Sequence, residues 1–252
     1  MKAFIKTYWK TLLFFTVVGL IGGYFTGLYA LESYPPQMQQ QMLAQGMTKT
    51  TLGLITALQS AGYGLVLGAA GIWLGKKVWL WKDKRHITKK PLLAALVISL
   101  IGGLGIILPD LLLFGKYEPA LLEQYTAKPT LPYLLATVTY GAVIEEVMLR
   151  LFMMSLVAFV LHLIFERKRG AVSTAVLVAA NVVSALLFAA GHLPGNEMMF
   201  GLTPVIVFRC ILLNGMFGLC FGWLYRRFGL RYAMIAHGGC HVVSKLIWLL
   251  FL

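Results

Sequence analysis

The sequence predicts an all-α fold, a polytopic membrane bundle of about seven transmembrane helices. Of the 252 residues, 59% are hydrophobic and only 12% are charged, and the mean hydropathy is +0.79. A water-soluble globular protein carries about 25% charged residues, so this composition excludes that class. The apolar residues also fall in long runs, each close to the roughly 20 residues that a helix needs to cross a bilayer. Composition and run length together therefore predict membrane-spanning helices.

Seven apolar segments meet the length requirement of a spanning helix. In chain order they cover residues 11–31, 51–74, 91–114, 132–165, 172–193, 204–225 and 232–252. The first follows Lys2, Lys6 and Lys10 as in a signal peptide, but its apolar stretch is longer than a signal core and no A-x-A cleavage site follows, so we expect a retained helix. The fourth is too long for one perpendicular crossing and must tilt, kink or begin outside the hydrocarbon. Its polar centre favours a break.

The net charge of +13 raises nucleic-acid binding as an alternative, so the positions of the basic residues matter. With a cytoplasmic N-terminus, sixteen of the 22 Lys and Arg fall in loops on one side, while only Lys49, Lys116 and Lys128 fall on the other. Cytoplasmic loops carry the excess of basic residues, so the pattern predicts an N-in, C-out orientation. The partner that this charge indicates is the lipid bilayer, with no nucleic acid. The sixteen residues are Lys2, Lys6, Lys10, Lys76, Lys77, Lys82, Lys84, Arg85, Lys89, Lys90, Arg167, Lys168, Arg169, Arg226, Arg227 and Arg231.

Several other features indicate structure without chemistry. Residues 32–49 contain a Pro-Pro break and predict a solvated external loop or a helix lying at the interface. The glycine pairs Gly64/Gly68 and Gly218/Gly222 have the small-xxx-small spacing that lets membrane helices approach closely. The three cysteines lie in apolar runs, which favours buried thiols over a disulfide framework. These features predict helix packing only.

Besides His162, nine acidic, basic or histidine residues lie within the apolar segments, where a charge costs at least ~2.5–3.5 kcal/mol on insertion scales. Asp110 follows Pro109 near a helix end, so we expect it to reach the interface. His162 lies beside the basic ERKR turn and is expected at the interface for the same reason. The other buried groups require a partner or a function. The nine are Asp110, Glu145, Glu146, Arg150, His192, Arg209, His237, His241 and Lys245.

The sharpest cluster lies in the middle of the fourth segment. In a helix, Glu146 and Arg150 are i and i+4 and form an ion pair on one face. Glu145 lies about 100° around the axis and is left free of that pair. An unpaired carboxylate in an apolar setting suits a general base. The alternative is a structural ion-pair cluster, which explains Glu146 and Arg150 better than it explains Glu145.

The histidines have spacings that allow chemistry as well as packing. His192 ends the fifth segment, where a lone histidine is usually a satisfied helix-end residue. His237 and His241 are i and i+4 on the last helix, so both imidazoles share one face, which Lys245 continues. Two such histidines bind a metal, hold a substrate carbonyl or pack through hydrogen bonds. Straight perpendicular helices would separate His192 from His237 by about 10 Å or more, so we expect a displaced helix or helices that end early around a water-filled cavity.

Together these three stretches resemble the CPBP family of intramembrane proteases, also called the Abi or CAAX-protease-and-bacteriocin-processing family. Its pattern is EExxxR, then FxxxH, then HxxxN on successive core helices. The chain departs from it at His241, where the family has Asn. The resemblance covers about residue 132 to the C-terminus, so we expect one integrated membrane domain with three N-terminal helices in 1–131 and a CPBP-like catalytic core of about four helices in 132–252. The matching residues are Glu145, Glu146, Arg150, Phe188, His192 and His237.

The resemblance implies a multi-pass intramembrane endopeptidase of the bacterial cell membrane, with a peptide or membrane-anchored protein as substrate. It implies that Glu145 activates a water molecule, with His192 assisting. It further implies that His237 holds the site or polarises the scissile carbonyl, while Glu146 and Arg150 orient the helix.

The residue at the last motif position leaves the cofactor open. In the family, the Asn at this position donates a hydrogen bond to the oxyanion. His241 donates from a ring nitrogen but is also a metal ligand, so both a divalent metal such as zinc and no metal stay open. Two other functions also stay open: a proton-coupled transporter whose buried acids and histidines relay protons, and a non-catalytic immunity or scaffold protein that binds a membrane partner.

Overall fold

The computed structural model describes residues 2–82 and 86–252, and its regular secondary structure over these residues is helical, without a strand. This confirms the predicted all-α fold. Lys84 and Arg85, two of the residues predicted to be cytoplasmic, lie outside the described residues. The α-helices are α1 (Lys2–Ser33), α2 (Pro36–Ala44), α3 (Lys49–Gly62), α4 (Gly68–Lys77), α5 (Lys89–Leu112), α6 (Ala120–Glu123), α7 (Leu131–Ala136), α8 (Ser155–Phe165), α9 (Thr174–Gly191), α10 (Leu193–Phe200), α11 (Pro204–Phe228) and α12 (Leu230–Phe251).

Seven helical stretches of the described chain are long and apolar enough to cross a membrane, as predicted. Their ends agree with the sequence segments within three residues, except that the first begins at Lys2 and the fifth continues to Phe200. Helix α1 includes the three N-terminal lysines. A transmembrane helix can continue beyond the hydrocarbon layer, so its ends need not coincide with the ends of the apolar segment. We call the stretches the first to the seventh span: Lys2–Ser33, Lys49–Lys77, Lys89–Lys116, Leu131–Phe165, Thr174–Phe200, Pro204–Phe228 and Leu230–Phe251.

The fourth span stays continuous through its polar centre, so the predicted break is wrong. Two π-helical segments, Thr137–Glu145 and Val147–Met154, connect α7 to α8. A π-helix pairs each N–H with the carbonyl five residues earlier, which keeps the backbone groups satisfied inside the membrane without an interruption. π-helical turns are rare and occur often at functional sites. Here the π-helical segments flank Glu146 directly.

Glycines set the close approach of the spans. A Cβ on Gly64 would lie 2.5 Å from a backbone carbonyl oxygen of the first span, and one on Gly222 would lie 1.7 Å from Asn181 Oδ1 on the fifth. For Gly68 and Gly218 the nearest neighbours would be at 3.0 and 3.1 Å. A Cβ does not fit at Gly64 or Gly222, whereas at Gly68 and Gly218 the neighbour would have to shift by a few tenths of an ångström, so one glycine of each pair is confirmed as a site of close packing. The three cysteines are free, as predicted.

One end of the bundle gathers the segments that carry most of the basic residues. Lys76 Nζ donates to Tyr8 Oη at 3.0 Å, and the Thr88 N–H donates to Tyr232 Oη at 2.9 Å. The first contact joins the end of the second span to the start of the first, and the second joins the segment before the third span to the start of the seventh. We call this the basic end. The N-in, C-out orientation requires such a gathering and stays a prediction.

Asp110 lies near the opposite end of the bundle and is fully buried, so the prediction that it reaches the interface is wrong. Arg209 donates to both of its carboxylate oxygens, from Nε at 2.5 Å and from Nη2 at 2.6 Å. Tyr125 Oη donates to Oδ2 at 3.2 Å. Burial, followed by the charge of Asp110, raises the pKa of Tyr125, which keeps the hydroxyl proton in place. A buried carboxylate with a bidentate arginine partner does not need water.

Candidate functional site

Glu146 and Arg150 form the predicted ion pair in the fourth span. Arg150 Nη1 lies 3.3 Å from Glu146 Oε1, an ionic contact without hydrogen-bond alignment, and the two side chains are 1% and 0% exposed. Arg150 Nη2 donates to the Gly218 carbonyl of the sixth span at 3.2 Å. The pair therefore fastens the fourth span to the sixth inside the bundle.

Two aromatic rings cover the buried guanidinium. Its central carbon lies 4.4 Å from the ring centroid of Phe188 and 5.5 Å from that of Phe221. Among the described residues, Arg150 Nε has no hydrogen-bond partner. The ring faces therefore supply cation–π attraction where acceptors are missing. This contact gives the phenylalanine of the FxxxH motif a physical role.

His237 in the seventh span is held by the same carboxylate. Its Nδ1 lies 2.9 Å from Glu146 Oε1. An ionised carboxylate only accepts hydrogen bonds, so Nδ1–H donates, and Nε2 of the neutral ring is an acceptor. The ring of Phe221 stacks on the imidazole, with centroids 4.7 Å apart and planes 17° apart. Both the tautomer and the orientation of His237 are thereby fixed.

Glu145 stands outside the arginine pair, as predicted. Its Oε2 lies 3.9 Å from His237 Nε2, which is too long for a hydrogen bond. Its side chain is 20% exposed and lines a cavity of about 370 Å³, which His192 and Tyr140 also line. Of the two acids, Glu146 is sealed in the protein and Glu145 faces an accessible space.

His192 lies at the turn between α9 and α10, on another wall of this cavity. Its Nδ1 lies 2.8 Å from the Phe188 carbonyl, so Nδ1–H donates and Nε2 is free of that bond. Asn196 Nδ2 donates to the His192 carbonyl at 2.7 Å and stabilises the turn. The Phe188 ring meets the rings of both His192 and His237, at centroid distances of 4.7 and 5.6 Å. Phe188 therefore bridges the second and third motifs.

The second and third motifs meet at Phe188 because the fifth and seventh spans are displaced along the axis of the bundle. Phe188 lies 14 residues beyond Thr174, about 21 Å along α9, whereas His237 lies seven residues beyond Leu230, about 10 Å along α12. Since Phe188 contacts His237, the fifth span extends about 10 Å further at the basic end than the seventh. This is one of the two arrangements expected from the sequence.

His241 lies beside His237 and faces the fourth span. The ring centroids are 5.0 Å apart, and His241 Nδ1 is buried without a partner among the described residues. A Cβ on Gly141 would lie 3.3 Å from His241 Nε2 and 4.0 Å from His237 Nε2. Gly141 therefore provides the space that both Nε2 atoms face, and a larger side chain there would fill it.

The donor set does not fit a resident metal as it stands. Within residues 2–82 and 86–252, no group of three or more His, Cys, Asp or Glu side chains is arranged to hold a metal ion. Catalytic zinc needs three protein ligands at about 2.0–2.3 Å, and no cluster of the described residues supplies that number. We therefore derive no step through a metal.

Some residues of the site carried no functional signal in the sequence. Phe221 and Gly141 are apolar residues in apolar spans, for which packing is the ordinary interpretation. Ser184 donates to the Leu149 carbonyl at 2.7 Å and Asn181 to the Leu219 carbonyl at 3.0 Å, so both fasten the fifth span to its neighbours. Their positions within an apolar segment of the sequence could have indicated such hydrogen bonds between spans.

Comparison with known proteins gives one match. Residues 127–243 match the family model described as type II CAAX prenyl endopeptidase Rce1-like. The matched range contains every residue of the three motifs. No curated protein and no solved structure matches the chain.

Proposed function

We propose that this integral membrane protein is an intramembrane endopeptidase in which Glu145 activates water, because residues 127–243 match the model of the Rce1-like type II CAAX prenyl endopeptidases, which is the CPBP or Abi family. Its substrate is a peptide or a membrane-anchored protein. One observation carries the proposal: Glu145 Oε2 and His237 Nε2 face each other across 3.9 Å, with Glu145 open to the cavity.

The surroundings of the two acids support this division of roles. Glu146 balances Arg150 and orients His237, so its carboxylate is occupied. Glu145 has neither bond and reaches the space where water and substrate meet. A general base must lie within hydrogen-bond reach of the proton that it takes. The 3.9 Å gap to His237 Nε2 is long for a direct bond but short enough for one water molecule to bond to both side chains.

The reaction follows from this placement. Glu145 takes a proton from the water molecule while the water oxygen attacks the scissile carbonyl carbon. This attack gives a tetrahedral intermediate. The proton then passes to the leaving nitrogen, the C–N bond breaks, and the products are a carboxylic acid and an amine. His192 lies on another wall of the cavity and assists by orienting the water through Nε2.

The oxyanion of the intermediate needs a donor, and His241 stands where the family has Asn. Its Nε2 faces the space beside Gly141, close to His237 Nε2. With the proton on Nε2, the imidazole donates in place of the Asn amide, while the unpartnered Nδ1 carries no buried N–H. His241 therefore stabilises the oxyanion. Arg150 and Glu146 do not contact the substrate and serve to hold His237 in place.

The test uses the purified chain reconstituted into liposomes with membrane-embedded and membrane-anchored peptides, in water enriched in ¹⁸O. Hydrolysis by activated water puts one ¹⁸O into the new carboxylate of the product, which mass spectrometry detects. Protein-dependent cleavage with this label supports the proposal. Absence of cleavage across the peptides, by protein with an intact thermal transition, contradicts it.

A further inference from the structure

Three basic side chains lie in the central parts of the spans, away from the span ends, and two of them have a carboxylate partner. Arg150 is paired with Glu146 and Arg209 with Asp110. Lys245 is 6% exposed, yet it forms no ion pair or hydrogen bond with any residue of the described ranges. Because a charge at membrane depth is costly without a partner, Lys245 is the exception that needs an explanation.

The surroundings of the Lys245 ammonium are partly open. Its Nζ lies 4.5 Å from the ring centroid of Tyr133, a cation–π contact that offsets part of the cost of burial. Side-chain atoms such as His241 Nδ1 are sealed without a partner, whereas Lys245 Nζ is not among the sealed atoms of the described chain. The described chain therefore does not fully enclose the ammonium group.

The position of Lys245 connects the candidate site to a second cavity. Lys245 follows His237 and His241 on one face of α12, about 12 Å along the axis from His237 and away from the basic end. Tyr133 and Trp248, which stack edge to face at 6.1 Å, line a cavity of about 570 Å³. Tyr133, whose ring the Lys245 ammonium contacts, therefore links Lys245 to this larger cavity.

We propose that Lys245 is a subsite that binds a carboxylate of the substrate. The proposal rests on the endopeptidase function proposed above. An ammonium group has three donors and no acceptor, so its complement is an anion, and charge-assisted hydrogen bonds are strengthened where water is scarce. The carboxylate comes from an Asp or Glu side chain of the peptide or from its C-terminus.

The test measures binding, so that it does not depend on cleavage. The protein carries Glu145→Gln, and the probes are fluorescein-labelled apolar peptides with one Glu or one Gln scanned along the sequence, each made as C-terminal acid and as amide. Fluorescence anisotropy should show tighter binding of carboxylate-bearing peptides, by roughly tenfold or more at the favoured position. A preference for Glu identifies a side chain as the source, and a preference for the free acid identifies the C-terminus.

Three further substitutions locate the preference. Lys245→Met should abolish it, and Lys245→Arg should retain it. Lys116→Met is the matched control and should retain it, since Lys116 is exposed and does not line the larger cavity. Removing an unpaired buried charge should leave the thermal midpoint of Lys245→Met unchanged or higher, whereas a lysine needed for folding would lower it.

Equal affinity for the charged and neutral peptides overturns the subsite, as does a preference that survives in Lys245→Met. A carboxylate preference without cleavage by the wild-type protein would refute the proposed function and leave the subsite standing. Cleavage by the wild-type protein without a carboxylate preference would support the proposed function and refute the subsite.

Discussion

His237 donates from Nδ1 to Glu146 Oε1 at 2.9 Å, and that oxygen also lies 3.3 Å from Arg150 Nη1. One buried carboxylate thus joins the first sequence motif to the third. The same arrangement leaves His237 Nε2 3.9 Å from Glu145 Oε2, and Glu145 lines the cavity. The buried group formed by Glu146, Arg150 and His237 behaves as one unit, and removing any member should disturb the others.

Arg150→Met should destabilise the protein strongly. The substitution leaves Glu146 buried with histidine as its one remaining partner, and breaking a buried pair costs about 3–5 kcal/mol. Denaturation of the purified protein in detergent measures this loss, with the exposed Arg227→Met as control. Replacing the pair together, with Glu146→Leu added, should recover part of the stability but no activity. An Arg150→Met protein as stable as the control would show that the pair does not hold the spans together.

Gly141→Ala should slow cleavage because the added Cβ would lie 3.3 Å from His241 Nε2 and displace the ring. We expect a loss of roughly tenfold, since small misplacements of reacting groups are costly. The loss should be smaller when His241 is replaced by the shorter Asn. Gly62→Ala is the control, because its Cβ would meet nothing within 4 Å. Equal effects of the two alanines on the rate of cleavage would contradict the proposed crowding.

His241→Asn should retain cleavage, and His241→Ala should lose it by roughly 10²-fold, the effect of removing one oxyanion donor. Histidine in the wild type and asparagine in the variant both donate a hydrogen bond at this position. Peptide cleavage and the metal content of the same preparations are measured together. Loss of bound metal together with activity in the Asn variant would mean that His241 acts as a ligand and would refute its role as a donor.

Glu166, which follows the fourth span, should make the stability of the fold depend on pH in the acidic range. Hydrogen bonds from the Ser173 side chain and backbone, with a further bond from Arg169, lower the pKa of Glu166 to about 2 from the ordinary 4.5. A carboxyl group with a lowered pKa stabilises the fold fully above pH 4.5, and the contribution is lost as the pH falls towards 2. The thermal midpoint of Glu166→Gln should therefore fall less over this window than that of wild type. Glu123→Gln, exposed at the other end, should follow wild type, and parallel curves for Glu166→Gln and wild type would refute the prediction.

Much of the fold follows from the sequence because the bilayer restricts the alternatives. Long apolar runs must be helices, so the seven spans and most of their ends could be predicted. The i and i+4 spacing of Glu146 and Arg150 likewise required only a helical repeat, and their ion pair is confirmed. Glycine spacing predicted close contacts that the structure contains at Gly64 and Gly222.

The remaining features depend on partners that are distant in the chain. Asp110 was expected at the interface because its partner, Arg209, lies 99 residues later and only folding brings them together. The π-helical form of the fourth span has no composition signal that distinguishes it from an α-helix. The meeting of Phe188 with His237 requires two spans to be displaced along the membrane, which hydropathy does not encode.

The central claim is that Glu145 is the base that activates water, and the most direct measurement compares cleavage by Glu145→Gln with cleavage by wild type. Glu197→Gln serves as control, because Glu197 is an exposed glutamate on α10 that does not line the cavity. Loss of a general base typically costs 10²–10⁴-fold, so we expect at least a hundredfold loss in Glu145→Gln with an unchanged thermal midpoint, and full activity in the control. Wild-type rates of cleavage by folded Glu145→Gln protein would contradict the account.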